Sequence, residues 1–205
     1  MDKQLTLGSL FSGSGGFELA GMLNGIKPIF NSEIDPFPIL VTSKRFPNVK
    51  HYGDISTLNG ADLEPVDIIT FGSPCTNLSV AGLRAGLDGA QSALFFQAIR
   101  IIKEMRCKTN GKYPRWICWE NVFGVFSSSQ GRDFQRVLEE IIGIAQEGTK
   151  VPAPDGYCWP YADLYLGDGW SVAYRVIDAQ YFSCAQRRRR CYLVADFGSE
   201  RAGDI

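Results

Sequence analysis

Four stretches of this chain combine residue types that do chemistry. The first is GSPCTNLS (72–79), which follows the apolar run VDIITF (66–71). A core cysteine belongs inside such a run. Cys75 sits on the turn after it, where Pro74 restricts the direction of the thiol. A thiolate in that place is a strong nucleophile. The plain alternative is a buried inert thiol, which is the expectation for Cys107, Cys118, Cys158, Cys184 and Cys191. The second stretch is RWICWENV (115–122), which ends in Glu120, Asn121 and Val122. A carboxyl beside tryptophans can be held neutral and donate a proton or a hydrogen bond. A surface glutamate after a strand is the other reading. The third is QRRRR (186–190). Strand alternation puts Arg188 and Arg190 on one face and Arg187 and Arg189 on the other. An arginine pair facing a cleft suits a phosphate or a base carbonyl oxygen. A solvated basic run is the alternative.

The fourth stretch is FSGSGG (11–16), at the junction of an apolar run and a helix-like segment. Glycines there let a ligand approach the backbone, and a helix N-terminus favours negative charge. A dinucleotide fingerprint needs a third glycine, and its place falls on Glu18, a carboxylate where a phosphate is unwelcome. Two further acids follow. Glu33 ends the next apolar run, where a carboxylate can accept both hydroxyl hydrogens of a ribose. Asp54, in YGDIS, is placed to accept from an adenine amino group. A tight strand–helix turn, a solvated strand end and a turn aspartate are the respective alternatives. Together the three features suggest a nucleoside ligand without a pyrophosphate, and S-adenosylmethionine is such a molecule.

These residues need elements to carry them. Strands are expected at 5–11, 27–34, near 50–52, at 66–72, 115–122, 171–179 and 190–197. Helices are expected at 15–24, 36–46, 91–106 and 131–145, and the clearest is 91–106, where apolar residues recur at helical spacing. Strand–helix alternation predicts a mainly parallel sheet with helices on both faces. Too few residues separate the last two strands for a crossover helix, so these should be antiparallel. In such sheets ligands bind outside the carboxyl ends of the strands, and every polar cluster named above falls at a run end. Residues 76–90 carry three glycines and read as a mobile loop. Residues 147–169, rich in Gly, Pro and Asp, read as an irregular insertion.

The 205 residues suit one domain, expected over 1–205. A content of 45% hydrophobic and 21% charged residues is ordinary for a globular protein and argues against disorder. A net charge of −1 announces no general nucleic-acid binder, although local charge can. No run approaches the ~20 apolar residues that span a bilayer. No CxxC pair occurs, so no zinc site is expected. Without a signal peptide the cysteines are expected reduced, in a cytoplasmic protein.

In their order and spacing these motifs resemble the cytosine-5 DNA methyltransferase family, most closely its bacterial and phage members, from residue 5 to about 197. The matching elements are Phe11 to Gly15, Glu33, Asp54, Pro74-Cys75 with Ser79, Glu120 to Val122, and Gln186 with Arg188 and Arg190. The segments LDGAQSALFFQAIRII and DAQYF also look like family segments. The resemblance implies a Rossmann-like S-adenosylmethionine-dependent methyltransferase fold. It implies a cofactor pocket of Phe11, Ser12, Gly13, Ser14, Gly15, Gly16, Phe17, Glu33, Ile34, Asp54, Ile55, Gly72 and Pro74. S-adenosyl-L-homocysteine would be the product. It makes Cys75, Glu120, Arg188 and Arg190 catalytic. Thr76, Ser79, Asn121, Val122 and Gln186 would line the DNA substrate, a duplex from which the target base is flipped.

Two departures stand out. Thr76 occupies the usual place of Gln, and Ala185 that of Pro before Gln186. Nothing after Phe197 resembles the family's target-recognition region or its closing segment. The expectation is a catalytic core completed by a further segment or a second subunit. Related enzymes use the same motifs on tRNA, so tRNA methylation is the competing activity. An inactive core that only binds cofactor or nucleic acid is the competing non-enzymatic role.

Overall fold

The computed structural model describes residues 3–73 and 92–204. Pro74, Cys75, Thr76, Ser79 and the whole of the expected 76–90 loop lie outside the described residues. Eight strands form one mixed sheet: β1 (Thr6–Leu10), β2 (Lys27–Ser32), β3 (Lys50–His51), β4 (Ile68–Phe71), β5 (Trp116–Val122), β6 (Ala162–Gly167), β7 (Trp170–Asp178) and β8 (Arg189–Asp196). Their hydrogen-bonded order is β3-β2-β1-β4-β5-β8-β7-β6. The helices are α1 (Gly16–Leu23), α2 (Pro36–Arg45), α3 (Ser92–Lys108) and α4 (Arg132–Ile142). The described residues cluster into two compact units. One holds residues 3–73 with Phe96–Cys118, and the other holds 92–95 with 119–204.

In the first unit β1 lies between β2 and β4, and β3 joins β2, all parallel. Strands buried on both sides carry apolar residues on both, and Leu7, Leu10, Phe30, Ile69 and Phe71 are buried. Gly8 is paired with Phe30 across the β1–β2 ladder. A Cβ at Gly8 would collide with the Phe30 ring, so the glycine is what lets that ring lie across the strand. Asp67 ties the start of the sheet together. Its carboxylate accepts from Thr6 N at 2.9 Å, Thr6 Oγ1 at 2.8 Å and Lys3 Nζ at 2.9 Å. α2 starts as its sequence suggests, with Asp35 accepting from Phe37 N at 3.1 Å and Pro36 in the first turn.

In the second unit β7 pairs antiparallel with β8, as expected from their short connection, and β6 pairs antiparallel with β7. β6 corrects the expectation of an irregular stretch over 147–169. Its side chains are mostly exposed, so no apolar alternation marks it. A short-range signal was present: Asp168-Gly169, with Gly169 at φ 71°, is a two-residue connection to β7. The core of this unit is aromatic. Phe134 of α4 lies 4.6 Å from Phe126, 4.8 Å from Tyr174, 5.1 Å from Trp159 and 6.3 Å from Trp119, centroid to centroid. Edge-to-face contacts at such distances add to the gain from burial. No helix among the described residues is long and apolar enough to cross a membrane.

Candidate active site

Three loops meet at the carboxyl ends of β1, β2 and β3 in the first unit. The loop after β1 turns through three left-handed residues, Phe11 (φ 55°), Gly13 (φ 52°) and Gly15 (φ 87°). Phe11 bears the cost of that conformation, on the order of 1–3 kcal/mol for a non-glycine residue, in a place where the loop must turn back toward β2. Ser12 N donates to Ser32 O at 3.0 Å and Gly15 N to Ser12 O at 3.0 Å. Glu33 fixes the rest. One carboxylate oxygen accepts from Gly13 N at 2.9 Å, and the other from Ile34 N at 2.7 Å and Asp35 N at 3.1 Å. Ser32 Oγ donates to Gly53 O at 2.6 Å, joining the third loop. There Asp54 is exposed and accepts from Ser56 N at 2.8 Å. Ile34, next to Glu33 in the chain, is 68% exposed, whereas Ile55 is buried in the core.

The geometry leaves room for a ligand. A Cβ at Gly13 or Gly16 would meet nothing within 4 Å among the described residues. Ser12 Oγ is buried with no hydrogen-bond partner among the described residues. Glu33 retains lone pairs beyond the amides it accepts, and the second oxygen of Asp54 has no hydrogen bond among the described residues.

Below the loop the structure departs from what the sequence suggests for Glu18. Its side chain is wholly buried and turned into the protein rather than toward the loop's open side. Asn31 Nδ2 donates to it at 3.2 Å, and Asn31 Oδ1 is 2.8 Å from His51 Nδ1. The register places His51, Asn31, Ser9 and Thr70 side by side across β3, β2, β1 and β4. Burial pushes the Glu18 carboxyl above its ordinary range, more than the bonds it accepts pull it down.

In the second unit the end of β5 faces the start of β8. Arg190 Nε donates to Glu120 Oε1 at 2.9 Å, both side chains being partly buried. Asn121 is buried and its Oδ1 accepts from Val122 N at 2.7 Å. Arg188 lies just before β8 with an exposed side chain, and its backbone amide donates to Asp178 at 2.9 Å. Arg190 is therefore the arginine brought to Glu120. Gln186 is exposed, its backbone N–H donating to Cys184 O at 2.7 Å.

Two residues without a role in the sequence reading also matter. Asp178, at the end of β7, accepts from Arg188 N, from Gln180 N at 3.3 Å and from Gln180 Nε2 at 2.9 Å. Burial opposes its charge, but these bonds and Arg189 hold it below the usual carboxylate range. Arg189 is 3.7 Å from Asp178 and lies over the Phe123 ring, 5.7 Å from its centroid. The aspartate at a strand end opposite an arginine run was the available signal.

Residues 5–145 match the C-5 cytosine-specific DNA methylase family. The chain is 33% identical to a DNA N-6-adenine-methyltransferase of Escherichia phage P1, covering 94% of this chain and 28% of that protein. It is 33% identical to the type II methyltransferase M2.BsuMI of Bacillus subtilis, covering 91% and 41% respectively. Its fold is similar to that of the S. pombe Dnmt2 methyltransferase, with a TM-score of 0.60 at 19% identity over 94% of this chain and 49% of that one. The chain thus spans less than half the length of these relatives.

Proposed function

The chain belongs to the C-5 cytosine-specific DNA methylase family, and on that premise we propose that it is the catalytic part of an enzyme that methylates carbon 5 of cytosine in DNA. The family's methyl donor is S-adenosyl-L-methionine. We assign the donor to the loop of the first unit, with Glu33 accepting from the ribose hydroxyls, Asp54 from the adenine amino group, and the space at Gly13 and Gly16 admitting the ligand. Phe11, Ser12, Ser14, Gly15, Phe17, Ile34, Ile55, Gly72 and Pro74 complete the proposed pocket. When bound, the donor supplies an electrophilic methyl group and leaves as S-adenosyl-L-homocysteine.

The observation that carries the reading is the Arg190–Glu120 pair. A carboxyl fixed at a strand end by an arginine is suited to hold N3 of a pyrimidine. Carbon 5 of cytosine is not nucleophilic on its own. Addition of a thiolate to C6 makes it so, and Cys75 is the thiolate in this proposal. As the Cys75–C6 bond forms, the ring's electron density moves toward C5, and Glu120 acts as the acid that assists protonation of N3, a proton it takes back when the Cys75–C6 bond breaks. Once C5 carries its new substituent, loss of the C5 proton to a base lets the Cys75–C6 bond break and returns the thiolate. Arg190, with Arg188, holds the base carbonyl or the adjoining backbone. Thr76, Ser79, Asn121, Val122 and Gln186 line the base and its strand. An exocyclic adenine amine is already the nucleophile of its own methylation and has no need of a Pro-Cys turn, which favours cytosine. Because the chain spans less than half of its relatives, recognition of the target sequence is assigned to protein outside these residues, in the same polypeptide or in a second subunit.

The test is covalent trapping. DNA carrying 5-fluorocytosine at the target cannot lose a proton from C5, so the adduct with the intact protein should persist. Cys75→Ser should abolish it and Cys118→Ser should retain it. An adduct that survives Cys75→Ser overturns the assignment of Cys75. Efficient methylation of tRNA with none of DNA overturns the substrate.

A further inference from the structure

The segment between α4 and β6 does more than connect them. Together with the turn after β5 it walls a cavity of about 710 Å³ in the second unit. Phe123, Phe126 and Gln130 come from the turn, and Cys158, Trp159 and Tyr161 from the connecting segment. The size is within the range of sites that take small organic ligands.

The walls are aromatic and held in place. Phe123 meets Phe126 edge to face at 5.6 Å and Tyr161 at 5.4 Å with their planes at 90°. Trp159 is buried and pinned, its Nε1 donating to Gly131 O at 2.9 Å. Tyr161 is 59% exposed at the mouth, an unusual place for a large ring that only fills a core. The turn is strained in a particular way. Ser129 (φ 48°) and Gln130 (φ 59°) are both left-handed, followed by Gly131 (φ 83°). Such runs of non-glycine residues concentrate at ligand sites. Here they bring an exposed glutamine amide to the cavity, and that amide makes no hydrogen bond among the described residues. Positive charge lies alongside. Arg189 stands over the outer wall, Phe123, with an exposed guanidinium. Arg187 and Arg189 line the neighbouring recess with Tyr181, which is itself 79% exposed.

Aromatic faces, a free amide and flanking arginines are the three things an unstacked nucleotide needs: a stacking surface, a partner for the base edge and a cation for the phosphate. Arg189 and Arg190 project to opposite faces of β8, so this cavity is separate from the Glu120–Arg190 pair. Resting on the reading of the chain as a DNA-acting enzyme, we propose that the cavity is a second nucleobase pocket. It takes an unstacked base of the bound DNA strand other than the base at Glu120, with Gln130 reading its edge and Arg189 contacting its phosphate.

Cys158 supplies a built-in reporter, since it lines the cavity and is exposed, as is Cys107 in the first unit. The probe is a short single-stranded oligothymidylate with 5-iodouracil at one position, which requires neither a known target sequence nor methyl transfer. With the intact protein, saturating probe should slow alkylation of Cys158 about 5-fold or more and leave Cys107 unchanged. Irradiation should crosslink the probe to Tyr161 or Phe123. Tyr161→Ala should weaken probe binding about 5- to 100-fold, the range for loss of one stacked base. Cys107→Ser should not weaken it. Unprotected Cys158, or wild-type affinity in Tyr161→Ala, overturns the pocket. Protection by free thymidine monophosphate but not by the oligonucleotide also overturns it, in favour of a free-nucleotide site. Failure of the 5-fluorocytosine adduct with Cys158 still protected refutes methyl transfer and leaves the pocket standing.

Discussion

The glycine loop of the first unit and the β5–β8 end of the second are made of different materials. The first is held by backbone: amides of Ser12, Gly13, Gly15, Ile34 and Asp35 all enter its hydrogen bonds, and Glu33 serves as the peg they hang from. The second is held by charged side chains, with Arg190 on Glu120 and Arg189 on Asp178, and by a cluster of rings. A backbone-built site constrains its sequence through the residues that its turns allow. A side-chain-built site constrains it only through pairs that are distant in the chain.

The division of labour gives the largest expected effect. Glu120→Gln or Arg190→Ala should lower kcat by roughly 10²- to 10⁴-fold, the usual worth of a proton-handling group, with the cofactor's Kd unchanged. Glu33→Ala should instead raise that Kd about 10- to 100-fold, as expected for loss of hydrogen bonds to a charged acceptor. Steady-state kinetics and calorimetry on the intact protein separate the two. If Glu120→Gln weakens the cofactor as much as Glu33→Ala does, the two regions do not have separate tasks.

That contrast also explains what was legible in the sequence. The parallel strands and the loop after β1 were readable because apolar runs and glycines mark them locally. Glu33 was readable as the acid at a strand end. Which arginine meets Glu120 was not, because β8 begins at Arg189 and Arg188 stays outside the ladder. β6 was hidden because it is an edge strand with few buried side chains. The direction of Glu18 was hidden because its partner, Asn31, lies on another element, β2.

The backbone-built region should be intolerant of even one added methyl group. Gly8→Ala places a Cβ into the Phe30 ring at the centre of the β1–β2 ladder. The expected loss is about 1–3 kcal/mol, the usual range for overpacking a core, read as a lower midpoint in chemical denaturation with an unchanged slope. Compensation by Phe30→Leu in the double variant would sharpen the assignment to that single contact. An unchanged midpoint in Gly8→Ala would mean that the two strands separate more easily than their register implies.

The smallest effect, and the most specific to one residue, concerns Glu18. Burial raises its carboxyl above the ordinary value of 4.5, so the folded protein holds this proton more tightly than the unfolded chain does. The sign follows from the proton count. Below the unfolded value both states are protonated and the group has no effect on the pH dependence of stability. As pH rises through and beyond that value, the unfolded chain releases its proton more readily than the folded one, and stability falls until the raised folded value is passed. A glutamine in this position cannot ionise and keeps a hydrogen-bonding group of nearly the same shape for Asn31. Glu18→Gln should therefore match the wild type in thermal stability near pH 4 and exceed it at pH 8. His51 is linked to the same Asn31, so the comparison is made in a His51→Gln background as well. A variant that is less stable than wild type at pH 8 in both backgrounds would mean that Glu18 is a charged, stabilising partner of the β1–β2 row. Its burial would then not decide its state.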